Sequence, residues 1–338
     1  MIRTALLGHG IGGKYFHAPF LSHHPAFSLD AIVSAKLADT SDEKEYPGCA
    51  LLRTPAELWE RANEFDLAVV TTPTRTHAEI ADRALDAGLN VLIDKPIATS
   101  SREARRLAEK ASERALKLSV YQSRRFDAEV RTARSMIEAG TLGRIVRLDV
   151  SFERRIDPER SGWREQLSGE EGGGVTYDLG SHVLDIAQFL LGPIARINGL
   201  SRTASPQRAA DDELVAFAEH LSGAVTRLVC SWTAEQSLPR IRLIGSAGTY
   251  EVNDTDPQER ALKQGGTVSD PHWGVVPESE WGTLIDASGE RTPVPTISGD
   301  YRLFYSQLAV YLTDGGPNPV APDEAIRTTE LIEHLLRS

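Results

Sequence analysis

Short, nearly continuous apolar runs alternate with amphipathic stretches over the first third of the chain. Residues 2–7, 29–33, 65–70, 90–93 and 116–121 have strand length and little polar interruption, the pattern of strands buried on both faces. Thr54-Pro-Ala-Glu57 and Ser100-Ser-Arg-Glu103 are capping boxes, opening helices that run to about Ala62 and Ala115. Thr76 is placed to cap a third helix, which reaches Ala87 and stops at Gly88. Strands and helices alternating across short loops predict a doubly wound parallel sheet that closes near Gln122.

Past that point the pattern changes. A helix over 127–139 is followed by 144–153, where apolar and polar positions alternate as in a half-buried antiparallel strand. Further strands are predicted at 195–203, 213–220, 223–233, 239–245 and 248–253, gathered together with no helices between them. These predict a second, α+β domain with one large, mostly antiparallel sheet, so the chain divides into domains 1–122 and 123–338. Residues 254–298, rich in Pro, Gly, Asp and Ser, read as irregular strands and loops around Trp273 and Trp281. Two helices close the chain, over 300–313 and 322–336.

Composition narrows the function classes. A length of 338 residues suits two domains, and a formal net charge of −11 argues against a general affinity for nucleic acid or an anionic membrane surface. Small diffusing substrates fit better. The two cysteines, Cys49 and Cys230, match no metal-ligand spacing and signal no disulfide framework. The apolar run at the N-terminus is too short for a signal-peptide core and no later segment reaches membrane-spanning length, so the cytoplasm is the expected location.

The first candidate chemistry follows the first strand at once. Gly8-His-Gly-Ile-Gly-Gly13 is G-x-G-x-x-G between a strand and a helix: Gly8 for a tight turn, Gly10 for backbone approach to a pyrophosphate, Gly13 for close helix packing. A nicotinamide dinucleotide is the expected ligand. At the end of the second strand, where NAD-specific sites place an acid for the ribose, stand Ser34, Ala35 and Lys36, with Asp39 farther along. Ser34 and Lys36 suit a 2′-phosphate, so NADP is expected, with NAD as the alternative. Lys95, in Asp94-Lys-Pro96, sits at a strand's carboxyl end, where ligands of open α/β sheets bind.

The densest polar chemistry lies in Gly172-Gly-Gly-Val-Thr-Tyr-Asp178 through Gly192. Leu179, Val183, Ile186, Ala187 and Leu190 recur at helical spacing, so Asp178, His182 and Asp185 project from successive turns. An i,i+4 carboxylate and imidazole lie roughly 5–6 Å apart at Cβ, close enough to act as an acid/base dyad. The same residues also read as a dipole-favoured aspartate and a hydrogen-bonded core histidine. A metal site from these three is disfavoured, because an open zinc site brings more His or Cys, and a serine hydrolase is disfavoured by the absence of G-x-S-x-G.

In order and spacing, Gly8-x-Gly-x-x-Gly13, Asp94-Lys-Pro96, Gly172-Gly-Gly…Asp178-x-x-x-His182-x-x-Asp185 and Pro319-x-x-Pro-x-Glu-Ala resemble the Gfo/Idh/MocA dehydrogenases over nearly the whole chain. Tyr121-Gln-Ser-Arg-Arg-Phe-Asp127, Trp163-Arg-Glu165 and Tyr177-Asp-Leu-Gly-Ser-His182 look most like the branch containing NADP-dependent scyllo-inositol dehydrogenases. One departure is Asp94, where the family usually has Glu. The resemblance implies Lys95, Asp178 and His182 as the catalytic set, and cofactor contacts from Gly8, Gly10, Ile11, Gly12, Gly13, Ser34, Lys36, Thr72, Pro73, His77, Asp94 and Lys95. It further implies substrate contacts from Arg124, Arg125, Trp163, Arg164 and Tyr177, no metal, a cyclic polyol or sugar as substrate, and a homo-oligomer (dimer or tetramer) formed through the second domain's sheet. Two other functions share these features: an NAD-dependent glycoside hydrolase, which retains its cofactor without net turnover, and a non-catalytic, cofactor-sensing regulator.

Overall fold

Six parallel strands form the first sheet, and their apolar runs are buried because helices cover both faces. The computed structural model describes residues 1–36, 45–157, 159 and 162–337. The chain separates into two compact units, residues 1–122, 259–271 and 301–329 in the first and 123–258, 272–300 and 330–338 in the second.

In the first unit the strands are β1 (Ile2–Leu7), β2 (Phe27–Val33), β3 (Ala50–Leu52), β4 (Leu67–Val70), β5 (Asn90–Asp94) and β6 (Leu118–Tyr121). Their order is β3-β2-β1-β4-β5-β6, so strand order reverses at β1, the place where doubly wound sheets bind dinucleotides. The sequence pattern missed β3, which has only three residues, one of them buried. Thr76 stands at the N-cap of the helix His77–Asp86, as expected, but its side chain makes no capping bond: Thr76 Oγ1 donates to the Pro73 carbonyl at 2.8 Å, and a short 3₁₀ turn precedes the helix.

An aromatic cluster fixes the first helix of this unit. The rings of Phe20 and Tyr305 stack at 5.2 Å and Tyr121 meets Phe304 edge-on at 4.8 Å. Tyr305 Oη donates its one proton to the Phe16 carbonyl (2.7 Å), so the His17 Nδ1 atom 3.0 Å away is the donor to that oxygen. His17 Nε2 is then an acceptor, and among the described residues it has no partner. Burial drives the His17 pKa down to about 4, against the upward pull of Asp94 and with a smaller downward push from His77. Because the folded pKa lies below the unfolded one, stability carried by neutral His17 is complete above about pH 6.5 and is lost as pH falls towards 4, about 3 kcal/mol in all. Urea midpoints should fall less between neutral pH and pH ~4.5 in His17→Asn than in the wild type; equal losses would show that His17 does not titrate in this window.

The second unit's sheet has the order β14-β13-β12-β11-β7-β10-β9-β8. Its strands are β7 (Ile145–Glu153), β8 (Ile194–Arg202), β9 (Glu213–His220), β10 (Val225–Ser231), β11 (Ile241–Gly245), β12 (Gly248–Val252), β13 (Gly282–Asp286) and β14 (Arg291–Val294). Neighbours are antiparallel except β7 and β10. One face carries Leu148, Leu214, Ala216, Leu228, Leu243 and Tyr250, in one core with Val183, Leu184, Ile186 and Ala187 of the helix Ser181–Leu191. On the other face Leu200, Val215 and Phe217 stay exposed, and Arg147, Arg227 and Arg242 surround Asp149. Strands β13 and β14 and the helix Gln258–Lys263 fall in the stretch expected to be irregular.

Candidate active site

The loop after β1 is shaped by close backbone contacts. Gly8 has φ +106°, and a Cβ there would sit 2.8 Å from the Thr71 backbone; a Cβ on Gly13 would sit 2.0 Å from the Gly8 carbonyl oxygen. Both positions therefore require glycine. Gly10 differs: nothing lies within 4 Å of its Cβ direction, which is the open backbone face a pyrophosphate needs. These residues fit a dinucleotide. The chain then enters a wide π-helical turn, Gly12–His17, before the α-helix Ala18–His23; such turns occur frequently at functional sites.

Around this loop the other expected cofactor residues take up definite places. Ile11 is exposed. The Ser34 amide donates to the Leu52 carbonyl at 2.9 Å, and Ser34 Oγ accepts from the Lys36 amide at 3.2 Å, holding the serine at the end of β2 with the Lys36 side chain exposed. Asp39 lies outside the described residues. An Asp94 carboxylate oxygen lies 2.7 Å from where a Gly12 Cβ would be, and the other accepts from the Lys95 amide at 2.8 Å. Thr72 Oγ1 is 2.8 Å from Thr76 Oγ1, and Pro73 precedes the turn Thr74–Thr76. The nearly fully buried His77 faces the carbonyls of Thr72 and Pro96 with its two ring nitrogens.

The second unit holds the proton-transfer candidates on a segment that is not one regular α-helix. A π-helical turn, Thr176–Gly180, carries Tyr177 and Asp178 and leads into the α-helix Ser181–Leu191 with His182 and Asp185. Its start is fixed by Asp211, whose carboxylate accepts from the Thr176 amide (2.8 Å) and hydroxyl (2.5 Å); burial pushes this carboxyl up, against those two bonds. The glycine run has a steric reason here. A Cβ on Gly174 would meet the Asp211 carboxylate at 2.0 Å, and one on Gly173 the Leu167 carbonyl at 2.0 Å.

Asp178 is anchored by two guanidinium groups, Arg164 Nε at 3.1 Å and Arg154 Nη2 at 3.3 Å. Arg164 in turn lies over the half-buried Trp163 ring at 4.4 Å. His182, 7% exposed, stacks on Phe152 with ring centres 5.9 Å apart. Arg124 and Arg240 also lie over Phe152, at 5.4 Å and 3.5 Å. Arg124 pairs with Asp127 at 3.4 Å, and Tyr177 is buried. The buried Arg125 fork grips Asp185 through Nε at 2.8 Å and Nη2 at 2.6 Å. The pair occupies both carboxylate oxygens of Asp185. Among the described residues no group of three metal-ligating side chains occurs.

Arg154, Phe152, Arg240 and Asp211 were missed from the sequence. Phe152 lies in β7, where alternation alone does not say which face meets the site, and Arg154 follows the strand's last residue, beyond the alternating pattern.

The strand order and the glycine cradle define a dinucleotide-binding Rossmann protein with a second, sheet-rich unit. A family model described as an oxidoreductase family with an NAD-binding Rossmann fold matches residues 2–122, and one described as the GFO/IDH/MocA C-terminal domain matches residues 130–251. The uncharacterized oxidoreductase YdgJ of Escherichia coli (strain K12) is 32% identical, over 98% of this chain and 94% of its own length. The scyllo-inositol 2-dehydrogenase (NADP(+)) IolW of Bacillus subtilis (strain 168) is 28% identical, over 100% and 93%. A solved structure from Bacteroides fragilis NCTC 9343 superposes with a TM-score of 0.88 at 32% identity, covering 100% of this chain and 97% of that one. The chain belongs to the Gfo/Idh/MocA oxidoreductase family and is an NAD(P)-binding oxidoreductase.

Proposed function

We propose that the chain is an NADP-dependent dehydrogenase that oxidises a secondary alcohol of a cyclic polyol or sugar, with scyllo-inositol or its keto form first among substrates. The observation that carries the reading is the anchored carboxylate of Asp178 one helical turn before a buried His182, in a chain whose first unit has a dinucleotide cradle. The Bacillus relative, an NADP(+)-dependent scyllo-inositol 2-dehydrogenase, supports it. So does an inositol 2-dehydrogenase of Rhizobium meliloti, 30% identical over 56% of this chain.

On this reading Gly8 to Gly13 hold the pyrophosphate, and Ser34 and Lys36 hold the 2′-phosphate. Bound NADP would supply the hydride acceptor at the carbinol carbon. His182 takes the hydroxyl proton, Lys95 donates to the reacting oxygen and stabilises its developing charge, and Asp178 orients the imidazole and contacts substrate. Trp163 and Tyr177 offer aromatic surface to the C–H face of a ring, and Arg124 and Arg164 donate to hydroxyls. Two guanidinium groups around one carboxylate also favour a second reading, an acidic sugar bound through its carboxylate. The exposed apolar strip Leu200, Val215 and Phe217 is the surface that supports a homo-oligomer. A cytoplasmic setting suits the unpaired thiols of Cys49 and Cys230.

The cofactor assignment has a direct test in titrations with NADP⁺ and NAD⁺. A 2′-phosphate beside Lys36 gains a charge-assisted contact, so NADP⁺ should bind about tenfold tighter or more, and Lys36→Asp should reverse the preference. Equal or tighter NAD⁺ binding by the wild type, or an unchanged ratio in the variant, contradicts the assignment. The substrate assignment is tested by net NADP⁺ reduction with scyllo-inositol.

A further inference from the structure

His77 lies between two loops of the first unit, the one after β4 with Thr72 and Pro73 and the one after β5 with Lys95 and Pro96. Only 2% of the residue is exposed. Its Nε2 is 2.7 Å from the Thr72 carbonyl oxygen and its Nδ1 is 2.9 Å from the Pro96 carbonyl oxygen. Carbonyl oxygens only accept, so each contact needs an N–H. A neutral imidazole has one and an imidazolium has two.

From this geometry we propose that His77 is a positioning residue: its doubly protonated ring ties the Thr72 loop to the Lys95–Pro96 loop, and its neutral ring can hold only one of them. What each loop does, binding cofactor or placing Lys95, rests on the dehydrogenase reading above. The ring is therefore a link between the cofactor-binding and alkoxide-stabilising parts of this unit, made entirely through backbone carbonyls.

The charged and titratable groups facing the ring are Asp94, Lys95 and His17. Burial is the largest influence and moves the imidazolium below the ordinary histidine range; Asp94 and the two carbonyls favour the charged ring, and Lys95 opposes it. His17 and His77 disfavour each other's charged form. The second proton therefore arrives on the acid side of about pH 6.5, and as pH rises through the folded pKa one of the two carbonyls loses its donor.

The test uses the full chain labelled with ¹⁵N at histidine, with the His77 signals identified by their loss in His77→Gln. Above neutrality one ring nitrogen should be protonated, and on acidification the second should become protonated while the protein stays folded. At a pH where both are protonated, two amide variants separate the arms. The Gln amide nitrogen takes the place of Nε2 and keeps the donor to Thr72, whereas the Asn amide nitrogen takes the place of Nδ1 and keeps the donor to Pro96.

His77→Asn should raise the Kd for NADP⁺, measured by calorimetry, about tenfold more than His77→Gln does, and His77→Gln should lower kcat about tenfold more than His77→Asn does. The 2′-phosphate's own protonation near pH ~6 is common to all three proteins and cancels. A ring that stays singly protonated until the protein unfolds overturns the proposal, and so do two variants that change the same quantity by the same factor. Absence of turnover with any polyol would instead defeat the dehydrogenase reading, while the spectra and the NADP⁺ affinities still decide the role of His77.

Discussion

Replacing His182 by Asn or Lys95 by Ala should lower kcat by about 10²–10⁴-fold while leaving the Kd for NADP⁺ nearly unchanged. The proton leaving a secondary alcohol needs an acceptor, and the charge developing on oxygen needs a donor. The two residues are assigned to those tasks and to no phosphate contact. Neither change should unfold the chain, since Lys95 is half-buried at a strand end and Asn retains a polar group in the His182 pocket. Asp178→Asn should be milder: an amide keeps the size of the carboxylate that Arg154 and Arg164 hold, though it loses the charge. Initial rates and calorimetric Kd values for the three variants check this. Full activity in the Lys95 variant, or loss of cofactor binding in all three, would show a structural role in its place.

Breaking the Arg125–Asp185 pair should cost the second unit about 3–5 kcal/mol. The side chains are 6% and 2% exposed, and both carboxylate oxygens take a guanidinium N–H, so removing one partner strands the other's charge in the core. Arg125 also lies over the Phe189 ring at 5.1 Å, which ties the turn Ser123–Phe126 to the helix Ser181–Leu191. The double variant Arg125→Met with Asp185→Leu should recover most of that loss, because it removes both charges together. Chemical denaturation of the two singles and the double, compared at constant m-value, measures the coupling. Single-variant losses below about 1 kcal/mol would mean that water reaches the pair and screens it.

The role of Arg125 shows where sequence reasoning ran out. The residue types around a sugar site and around a buried ion pair are the same, and only the fold brings Arg125 against Asp185, 60 positions away. Periodicity and punctuation, by contrast, were legible. The apolar runs of β1, β2, β4, β5 and β6 stand close to their expected positions, because a strand buried on both faces leaves a continuous signature, and β9 occupies residues 213–220 as expected from its alternation. Strand β3 was too short to leave one, and β13 and β14 sit among Pro, Gly and Asp residues that read only as irregular strands and loops without definite bounds. The glycines were legible in part. Gly8, Gly10 and Gly13 announce their loop by spacing, whereas Gly173 and Gly174 are needed because of Leu167 and Asp211, contacts that no spacing encodes. The π-helical turns at Gly12–His17 and Thr176–Gly180 also left no trace in a 3.6-residue period.

Net reduction of NADP⁺, followed by the absorbance of the reduced nicotinamide, with scyllo-inositol, myo-inositol, glucose and glucuronate distinguishes a polyol dehydrogenase from the other functions open to this fold. Turnover should be steady, fastest as kcat/KM on scyllo-inositol, and lost in His182→Asn. A glycoside hydrolase, with no glycosidic bond to cleave in these free compounds, would give no net reduction, and a regulator would bind cofactor and turn over nothing. Either of those outcomes, or a best rate on glucuronate that collapses in Arg164→Ala, would contradict that expectation.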